Sequence, residues 1–237
     1  EPIPAASGVI VPPVGYYEAI QSVLDDYDIL FWADEVITGF GRTGDLFGCD
    51  TQNIRAPAMM TFAKQLSSAY YPISASIIRG DLYEPLVEPS AEVGIFGHGY
   101  TYSGHPVACA AALAAIDAIE EEGLLKRSTK MGETFRARFA EIGKRVAPFR
   151  MWDIRGLGAM LAVEFVTDFE SAAPDAAFTK SVCAHALKHG LILLSCGMHG
   201  NAIRIMVPLT ASDAIIEEGL AMFEAAVADA VAERVIH

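Results

Sequence analysis

Residues 29–35 read Ile-Leu-Phe-Trp-Ala-Asp-Glu, and this stretch decides the fold class. Five apolar residues in a row end abruptly at two carboxylates, Asp34 and Glu35. This continuous apolar pattern is typical of a strand buried on both faces of a parallel sheet. Open α/β sheets bind ligands at the carboxyl ends of their strands, so the two acids fall where a ligand site is expected. The stretch predicts an α/β fold with a ligand site at this strand end.

Strands and helices are predicted on both sides of this stretch. In the first half, apolar runs and helical spacing predict strands at residues 9–11, 58–63 and 73–78 and helices at 15–26 and 106–122. Gly123 follows the last of these helices, which places a domain boundary there. Beyond it, two apolar segments lie around residues 151–154 and 159–166, and we expect strands at 192–195 and 202–206 and helices at 125–147, 178–189 and 212–233. The second half therefore reads as an α+β module.

Composition excludes several classes of protein. The 237 residues carry a formal net charge of −13 without a basic cluster, which disfavours nucleic-acid binding. Apolar residues make up 52% of the chain, so disorder is excluded, and the longest apolar run, residues 106–116, is too short to cross a membrane. Four separated cysteines without a CxxC motif fit reduced thiols in a cytoplasmic protein. The chain opens directly into an apolar run, so we expect a piece of a longer protein.

Asp34 is the first candidate for chemistry. In a strand, Asp34 and Val36 point to the same face while Glu35 points to the other. A carboxylate beside a branched apolar side chain suits a flat heteroaromatic ring, since the ring packs on the apolar group and the acid keeps a ring nitrogen protonated. Taken alone, the acid pair is better explained as the exposed end of a strand.

Lys64 ends the next apolar strand and is the second candidate. A lysine against a hydrophobic wall loses hydration, which favours the neutral amine and allows it to form an imine with an aldehyde. Taken alone, a stem lying on apolar surface with its ammonium in water is the better explanation. Together, Asp34 and Lys64 place an acid and an amine at two neighbouring strand ends. This is the layout needed to hold pyridoxal phosphate, because its ring nitrogen can pair with the acid and its aldehyde can react with the amine.

Two other features are compatible with ligand binding. The turn at residues 98–106 is rich in glycine and hydroxyl groups and can present N–H groups to a phosphate, although ordinary helix capping explains it as well. Arg204 lies in an apolar strand, where its guanidinium needs either a substrate carboxylate or a structural acid as partner. No metal site is expected, because the spacing of Cys183, His185 and His189 matches no zinc pattern.

Several stretches resemble class III aminotransferases, which are pyridoxal phosphate enzymes of fold type I. The resemblance rests on residues 31–44 (FWADEVITGFGRTG), 62–64 (FAK) and 99–106 (GYTYSGHP), and it continues through residues 155–160, 190–197 and 204–210. It therefore covers nearly the whole chain. It implies that residues 1–123 are the C-terminal part of a large cofactor-binding domain with a mainly parallel sheet. Residues 124–237 would be a small C-terminal α+β domain.

By position, the resemblance implies roles for five residues. Asp34 matches the acid that pairs with the pyridine nitrogen, Val36 the residue that packs on the ring, and Lys64 the lysine that forms the internal aldimine. Thr101 matches the threonine that reaches the cofactor phosphate from the neighbouring subunit of a dimer. Arg204 matches an arginine that binds the α-carboxylate of amino-acid substrates in the 4-aminobutyrate and ornithine branch.

Two departures from the family bear on substrate and completeness. Ala6 stands where that branch has a glutamate, and Ile37 replaces a glutamine, so the chain looks more like the omega- or amine:pyruvate transaminases. Family members are also much longer, and the missing N-terminal segment would hold the loop that cradles the phosphate and the aromatic residue stacked on the ring. The resemblance implies a homodimer with active sites at the subunit interface, completed by that segment.

The expected reaction moves an amino group from an amine or omega-amino acid donor to a keto acid, with pyruvate as the expected acceptor, through Lys64. Within the same family, a dialkylglycine decarboxylase or an aminomutase stays open, because the cofactor permits several bond cleavages. A non-catalytic remnant that folds and dimerises is the alternative from a different class.

Overall fold

Apolar strands and their covering helices form two units in the computed structural model, which describes residues 1–235. The first unit comprises Glu1–Pro2, Pro12–Gly41 and Asp45–Gly123, and the second comprises Ile3–Val11, Arg42–Gly44 and the chain from Leu124 onward. The main division follows Gly123. A single boundary at Gly123 does not describe the two units completely. Two short segments that precede it, residues 3–11 and 42–44, belong to the second unit.

The first unit is built on a three-stranded sheet with the order β1-β2-β3. Its elements are α1 (Tyr16–Asp26), β1 (Trp32–Asp34), α2 (Gly48–Thr51), β2 (Met59–Phe62), a 3-10 turn (Lys64–Ser67), β3 (Ala75–Ile78), α3 (Gly80–Val93) and α4 (Pro106–Glu121). β1 and β2 are parallel, whereas β3 is antiparallel to β2. A core of Tyr17, Ala33, Cys49 and Ile54 joins α1, β1 and α2.

Tyr17 links this core to the first residues of the chain. Its hydroxyl shares one donated hydrogen between the carbonyl oxygens of Glu1 and Pro2, each at 3.0 Å. Burial is the largest of the causes that raise the pKa of Tyr17 from 10.0 to about 12. Because the folded pKa lies above the unfolded value, this contribution to stability is complete below pH 10.0 and is lost as the pH rises through about 12.

We expect Tyr17→Phe to lower the free energy of unfolding by about 1 kcal/mol at pH 8, since the shared hydrogen bond is lost. The variant should then lose less stability than the wild type between pH 8 and pH 11, because phenylalanine does not ionise. Urea denaturation at the two pH values measures both effects. Tyr27→Phe, at a tyrosine that is 74% exposed, is the control and should behave like the wild type. An equal alkaline loss in Tyr17→Phe and the wild type would contradict the assignment.

The second unit is built on a four-stranded antiparallel sheet with the order β4-β5-β7-β6. Its elements are α5 (Leu124–Val146), β4 (Met151–Leu157), β5 (Met160–Phe165), α6 (Ala176–Lys188), β6 (Leu194–Cys196), β7 (Ala202–Ile205) and α7 (Asp213–Val235). Residues 160–163 of β5 are fully buried, and the rings of Phe139 on α5 and Phe223 on α7 meet at 5.0 Å. The core of this unit thus joins the central strand β5 to the helices.

The structure corrects two expectations about local structure and adds one helix. Residues 9–11 form no strand, because Val9 has a φ of 56° and two prolines follow. Trp32 on β1 is 58% exposed, so one face of this strand is open rather than buried, since no described element packs on that side. The helix α3 is not predicted by the sequence pattern, because Pro85 and Pro89 lie inside it.

Within residues 1–235, no helix combines the length and apolarity needed to cross a bilayer.

Candidate active site

Asp34 and Lys64 lie at the same edge of the first unit's sheet. β1 ends at Asp34, which is paired in register with Thr61 of β2. β2 ends at Phe62, and Lys64 begins the 3-10 turn two residues later. Because the two strands are parallel, their carboxyl ends meet at one edge, where both side chains are exposed. The structure therefore places the acid and the lysine at neighbouring strand ends, while their chemical roles stay predictions.

Lys64 lies in a strained turn. Its φ is 44°, and Ser68 and Ala69 have φ values of 49° and 62°. Left-handed backbone is uncommon for residues other than glycine, and it clusters at functional sites where the surroundings hold the strain. Here Ser67 is buried, and its hydroxyl donates to the carbonyl oxygen of Tyr71 at 2.6 Å. Contacts on the buried side thus hold the turn that presents the lysine.

A single backbone donor orients Asp34. Its Oδ1 accepts a hydrogen bond from the Val36 N–H at 3.0 Å, and no lysine or arginine of residues 1–235 forms an ion pair with it. The expectation that Val36 shares a strand face with Asp34 is wrong, because the strand ends at Asp34 and a turn follows. Val36 instead lies half-buried in that turn. The carboxylate therefore keeps an exposed oxygen that can accept a hydrogen bond from a ligand.

Glu35 is a buried carboxylate whose function the sequence analysis missed. It is 0% exposed and accepts hydrogen bonds from the N–H groups of Gly48 at 2.9 Å and Cys49 at 2.7 Å. The Thr38 hydroxyl donates to it as well. These contacts tie the loop that follows Asp34 at both of its ends. The signal was available, since the alternation of the expected strand points Glu35 away from the exposed Asp34, and an inward carboxylate needs donors.

The buried carboxylate also affects a thiol. Burial raises the pKa of the Cys49 thiol, and the nearby Glu35 raises it further. Because the thiolate is the reactive form, this cysteine is held in its inert state.

Thr101 lies in an exposed turn that precedes α4. Within residues 1–235, no hydrogen bond joins it to Asp34 or Lys64, so its expected phosphate contact stays a prediction. The turn itself is held by a hydrogen bond from the Tyr100 N–H to the Ser103 hydroxyl at 2.9 Å.

At the start of α4, the ring of His105 stacks on Tyr71 with centroids 5.0 Å apart. Tyr71 is also the residue whose carbonyl oxygen accepts from Ser67. The helix start and the lysine turn therefore share one packed contact.

Arg204 lies in β7 of the second unit. Its register partners are Ala162 on β5 and Leu194 on β6, and its sequence neighbours Ile203 and Ile205 are buried. Arg204 itself is half-buried and forms no ion pair with any acid of residues 1–235. A structural acid as its partner, one of the two explanations left open by the sequence, is therefore not found in the part of the chain that the structure describes.

A second arginine, Arg42, holds the segment that follows β7. Its guanidinium is buried and donates hydrogen bonds to the carbonyl oxygens of Val207 at 2.7 Å and Ala159 at 3.4 Å. Burial lowers the pKa of Arg42 to about 10. The sequence pattern gives no sign of this contact, because the partners are more than a hundred residues away along the chain.

His185 on α6 and His189, directly after its last residue, contact acids on α7. His189 Nε2 lies 2.8 Å from Asp229 on α7, and His185 lies 3.3 Å from Glu233. Over the described residues 1–235, no group of three or more His, Cys, Asp or Glu side chains is arranged to hold a metal ion.

Comparisons with known proteins agree on one family. The family model described as Aminotransferase class-III matches residues 1–227. The chain is 42% identical to the 5-aminovalerate aminotransferase DavT of Pseudomonas putida over 94% of this chain and 50% of that protein. It is 38% identical to a probable 4-aminobutyrate aminotransferase of Bacillus subtilis over 95% of this chain and 49% of that protein. The chain thus spans about half the length of the curated relatives it matches.

Solved structures confirm the expected fold. The omega transaminase from Pseudomonas jessenii in complex with PMP superposes with a TM-score of 0.89 at 40% identity, over 97% of this chain and 50% of that one. An engineered thermostable omega transaminase also reaches 0.89 at 40% identity, over 98% of this chain and 51% of that one. The fold is therefore that of a fold type I pyridoxal phosphate enzyme, and pyridoxal phosphate is the cofactor of the matching family.

Proposed function

Because the chain belongs to the class III aminotransferase family, we propose that the protein is a pyridoxal phosphate-dependent transaminase. It moves an amino group from an amine or omega-amino acid donor to a keto acid, with pyruvate as the acceptor. The observation that carries the proposal is the position of Asp34 and Lys64 at the ends of two neighbouring parallel strands.

The residues at this edge fit the cofactor. Asp34 keeps an exposed carboxylate oxygen, and the exposed Lys64 forms no ion pair within residues 1–235, so both groups are available to one ligand. Bound pyridoxal phosphate supplies an electron-withdrawing ring that stabilises negative charge at the substrate carbon. An acid and an amine are the two groups that its ring nitrogen and its aldehyde require.

Each residue has a separate task in this proposal. Lys64 would hold the aldehyde of the cofactor through its Nζ, with loss of water, and its free amine would accept and return the proton at the substrate carbon as general base and acid. Asp34 keeps the proton on the ring nitrogen. Val36 packs on the ring, and Thr101 binds the phosphate in the active site of the partner subunit of a homodimer.

Arg204 binds the carboxylate of the keto acid. Its support is the half-buried guanidinium that lacks an ion pair with any acid of residues 1–235. A partly buried cation gains from a carboxylate partner, and a substrate carboxylate can supply it with two parallel hydrogen bonds.

We expect Arg204→Met to raise the KM for pyruvate about 10- to 100-fold, because a hydrogen-bonded ion pair with the substrate is lost. The half-reaction with an amine donor that lacks a carboxylate should keep its rate. Steady-state and single-turnover kinetics measure the two effects. Arg145→Met is the control, since Arg145 is 64% exposed and pairs with Glu224 on the surface of the same unit. An unchanged KM in Arg204→Met would contradict this role.

We also propose where the rest of the site comes from. Residues 1–123 contribute the cofactor-binding domain and residues 124–237 the small domain, and an N-terminal segment like that of the longer relatives completes the site. The support is the exposed apolar surface of α3, where Tyr83, Leu86 and Val87 are at least 42% exposed and no residue is buried.

Four free cysteines are compatible with a cytoplasmic location.

A product assay tests the proposed reaction. The protein is mixed with pyridoxal phosphate, an amine donor and pyruvate, and we expect alanine and the carbonyl product of the donor in equal amounts. Carbon dioxide released from an α,α-disubstituted amino acid would instead indicate a decarboxylase. The absence of any product would favour a non-catalytic protein.

A further inference from the structure

Gln65 joins the turn of Lys64 to the loop that follows Asp34. Its Nε2 donates a hydrogen bond to the carbonyl oxygen of Ile37 at 3.1 Å. Gln65 comes directly after the lysine, and Ile37 lies three residues beyond the acid. One side-chain hydrogen bond therefore connects the two segments that carry the proposed cofactor-binding groups.

The amide of Gln65 is only half satisfied. Its Oε1 is buried and has no hydrogen-bond partner among residues 1–235. A buried acceptor without a partner reduces folding stability, and a methionine of similar length would not carry this penalty. The net gain in folding stability from a glutamine at this position is therefore small.

The hydrogen bond from Gln65 to Ile37 has a second effect, because the neighbouring residue Lys64 has strained backbone. Lys64 has a φ of 44°, and a residue in such backbone stays there only when its surroundings fix it. The bond from Gln65 to Ile37 acts on the residue next to this strained position. It therefore restrains the direction in which the lysine leaves the sheet edge.

We propose that Gln65 is a positioning residue that sets the spacing between Lys64 and Asp34. This inference rests on the proposed function, because the spacing matters if one ligand bridges the two groups. The ring nitrogen and the aldehyde of pyridoxal phosphate are held a fixed distance apart by a rigid aromatic ring. The protein groups that bind them must therefore be held at a matching distance, or cofactor affinity is lost.

Gln21 offers a matched control in the same unit. Its Nε2 donates to the carbonyl oxygen of Arg55 at 2.8 Å, and its Oε1 accepts from the N–H of the same residue at 2.9 Å. Both glutamines thus bridge two chain segments, but Gln21 is fully paired and contacts neither Asp34 nor Lys64.

The test compares Gln65→Met with Gln21→Met. Two quantities are measured for each: the dissociation constant for pyridoxal phosphate, from the visible absorption of the lysine-bound cofactor, and the midpoint of thermal unfolding without cofactor. We expect Gln65→Met to raise the dissociation constant about three- to tenfold, the equivalent of one lost hydrogen bond, with an unchanged or higher unfolding midpoint. Gln21→Met should lower the midpoint and leave the dissociation constant unchanged.

Three results would overturn the inference. They are wild-type cofactor affinity in Gln65→Met, a loss of thermal stability as large as that of Gln21→Met, or failure of Gln65→Met to fold. A wild-type protein that forms no lysine-bound cofactor would contradict the proposed function itself. Equal affinity in the wild type and Gln65→Met would overturn the positioning role alone.

Discussion

Replacing Lys64 with alanine is expected to lower the transaminase rate by at least about 1000-fold, because in the proposed function one amine both binds the cofactor and moves the substrate proton. The variant should also lose the visible absorption that the wild type gains on adding pyridoxal phosphate. The exposed, strained turn that presents Lys64 leaves no buried contact for the amine to contribute, so folding stability should be nearly unchanged. Stopped assays, absorption spectra and thermal unfolding on one preparation measure all three.

Lys130→Ala is the matched control for this variant. Lys130 is an exposed lysine on α5 in the other unit, so its removal changes the net charge equally without touching the sheet edge. The control should keep both the rate and the absorption. Added small primary amines should restore part of the rate in Lys64→Ala, because a free amine can replace the missing proton carrier. Full activity in Lys64→Ala would mean that the chemistry uses another group.

Replacing Glu35 with leucine is expected to lower the free energy of unfolding by about 3–5 kcal/mol, the largest stability effect expected in this protein. The carboxylate is fully buried and satisfies the backbone N–H groups of Gly48 and Cys49 together with the Thr38 hydroxyl. Leucine of similar volume would leave all three donors buried without an acceptor. Urea denaturation followed by circular dichroism measures the loss.

Two glutamate-to-glutamine substitutions, Glu35→Gln and Glu120→Gln, separate the effect of the buried contacts from the effect of losing a negative charge. A glutamine at position 35 keeps one of the two accepting oxygens, so we expect a loss of about 2 kcal/mol. Glu120 is exposed on α4, and its replacement should change the free energy of unfolding by less than about 0.5 kcal/mol. Equal small effects of the two substitutions would show that the Glu35 contacts contribute little.

The position of the candidate site could be predicted from the sequence, because local pattern decides the structure of the strands that carry it. The apolar runs that end at Asp34 and Lys64 predict two strands, and the parallel pairing of β1 with β2 brings their ends to one edge. The same reasoning was wrong for residues 9–11, where apolar character predicts a strand but the backbone of Val9 is left-handed. Val9 is fully buried, so its apolar character indicated burial correctly, but burial alone does not fix backbone conformation.

The contacts that support the site could not be predicted from pattern. Glu35 accepts hydrogen bonds from Gly48 and Cys49, and Gln65 donates one to Ile37. Each contact joins two segments separated along the chain by residues whose conformation the sequence pattern does not predict. The partner of Arg204 was equally open, because a strand sequence does not show which acids come near it. Only the fold decides these pairings, since each depends on how distant segments pack.

The central claim is that Lys64 binds the cofactor aldehyde while Asp34 serves the ring nitrogen. Its most direct test is to add pyridoxal phosphate to the protein, reduce the covalent bond with borohydride, digest the product and locate the attached pyridoxyl group by mass spectrometry. We expect the label on Lys64, with no labelling of the Lys64→Ala protein at any other lysine. A label on a different lysine, or no label in the wild type, would contradict it.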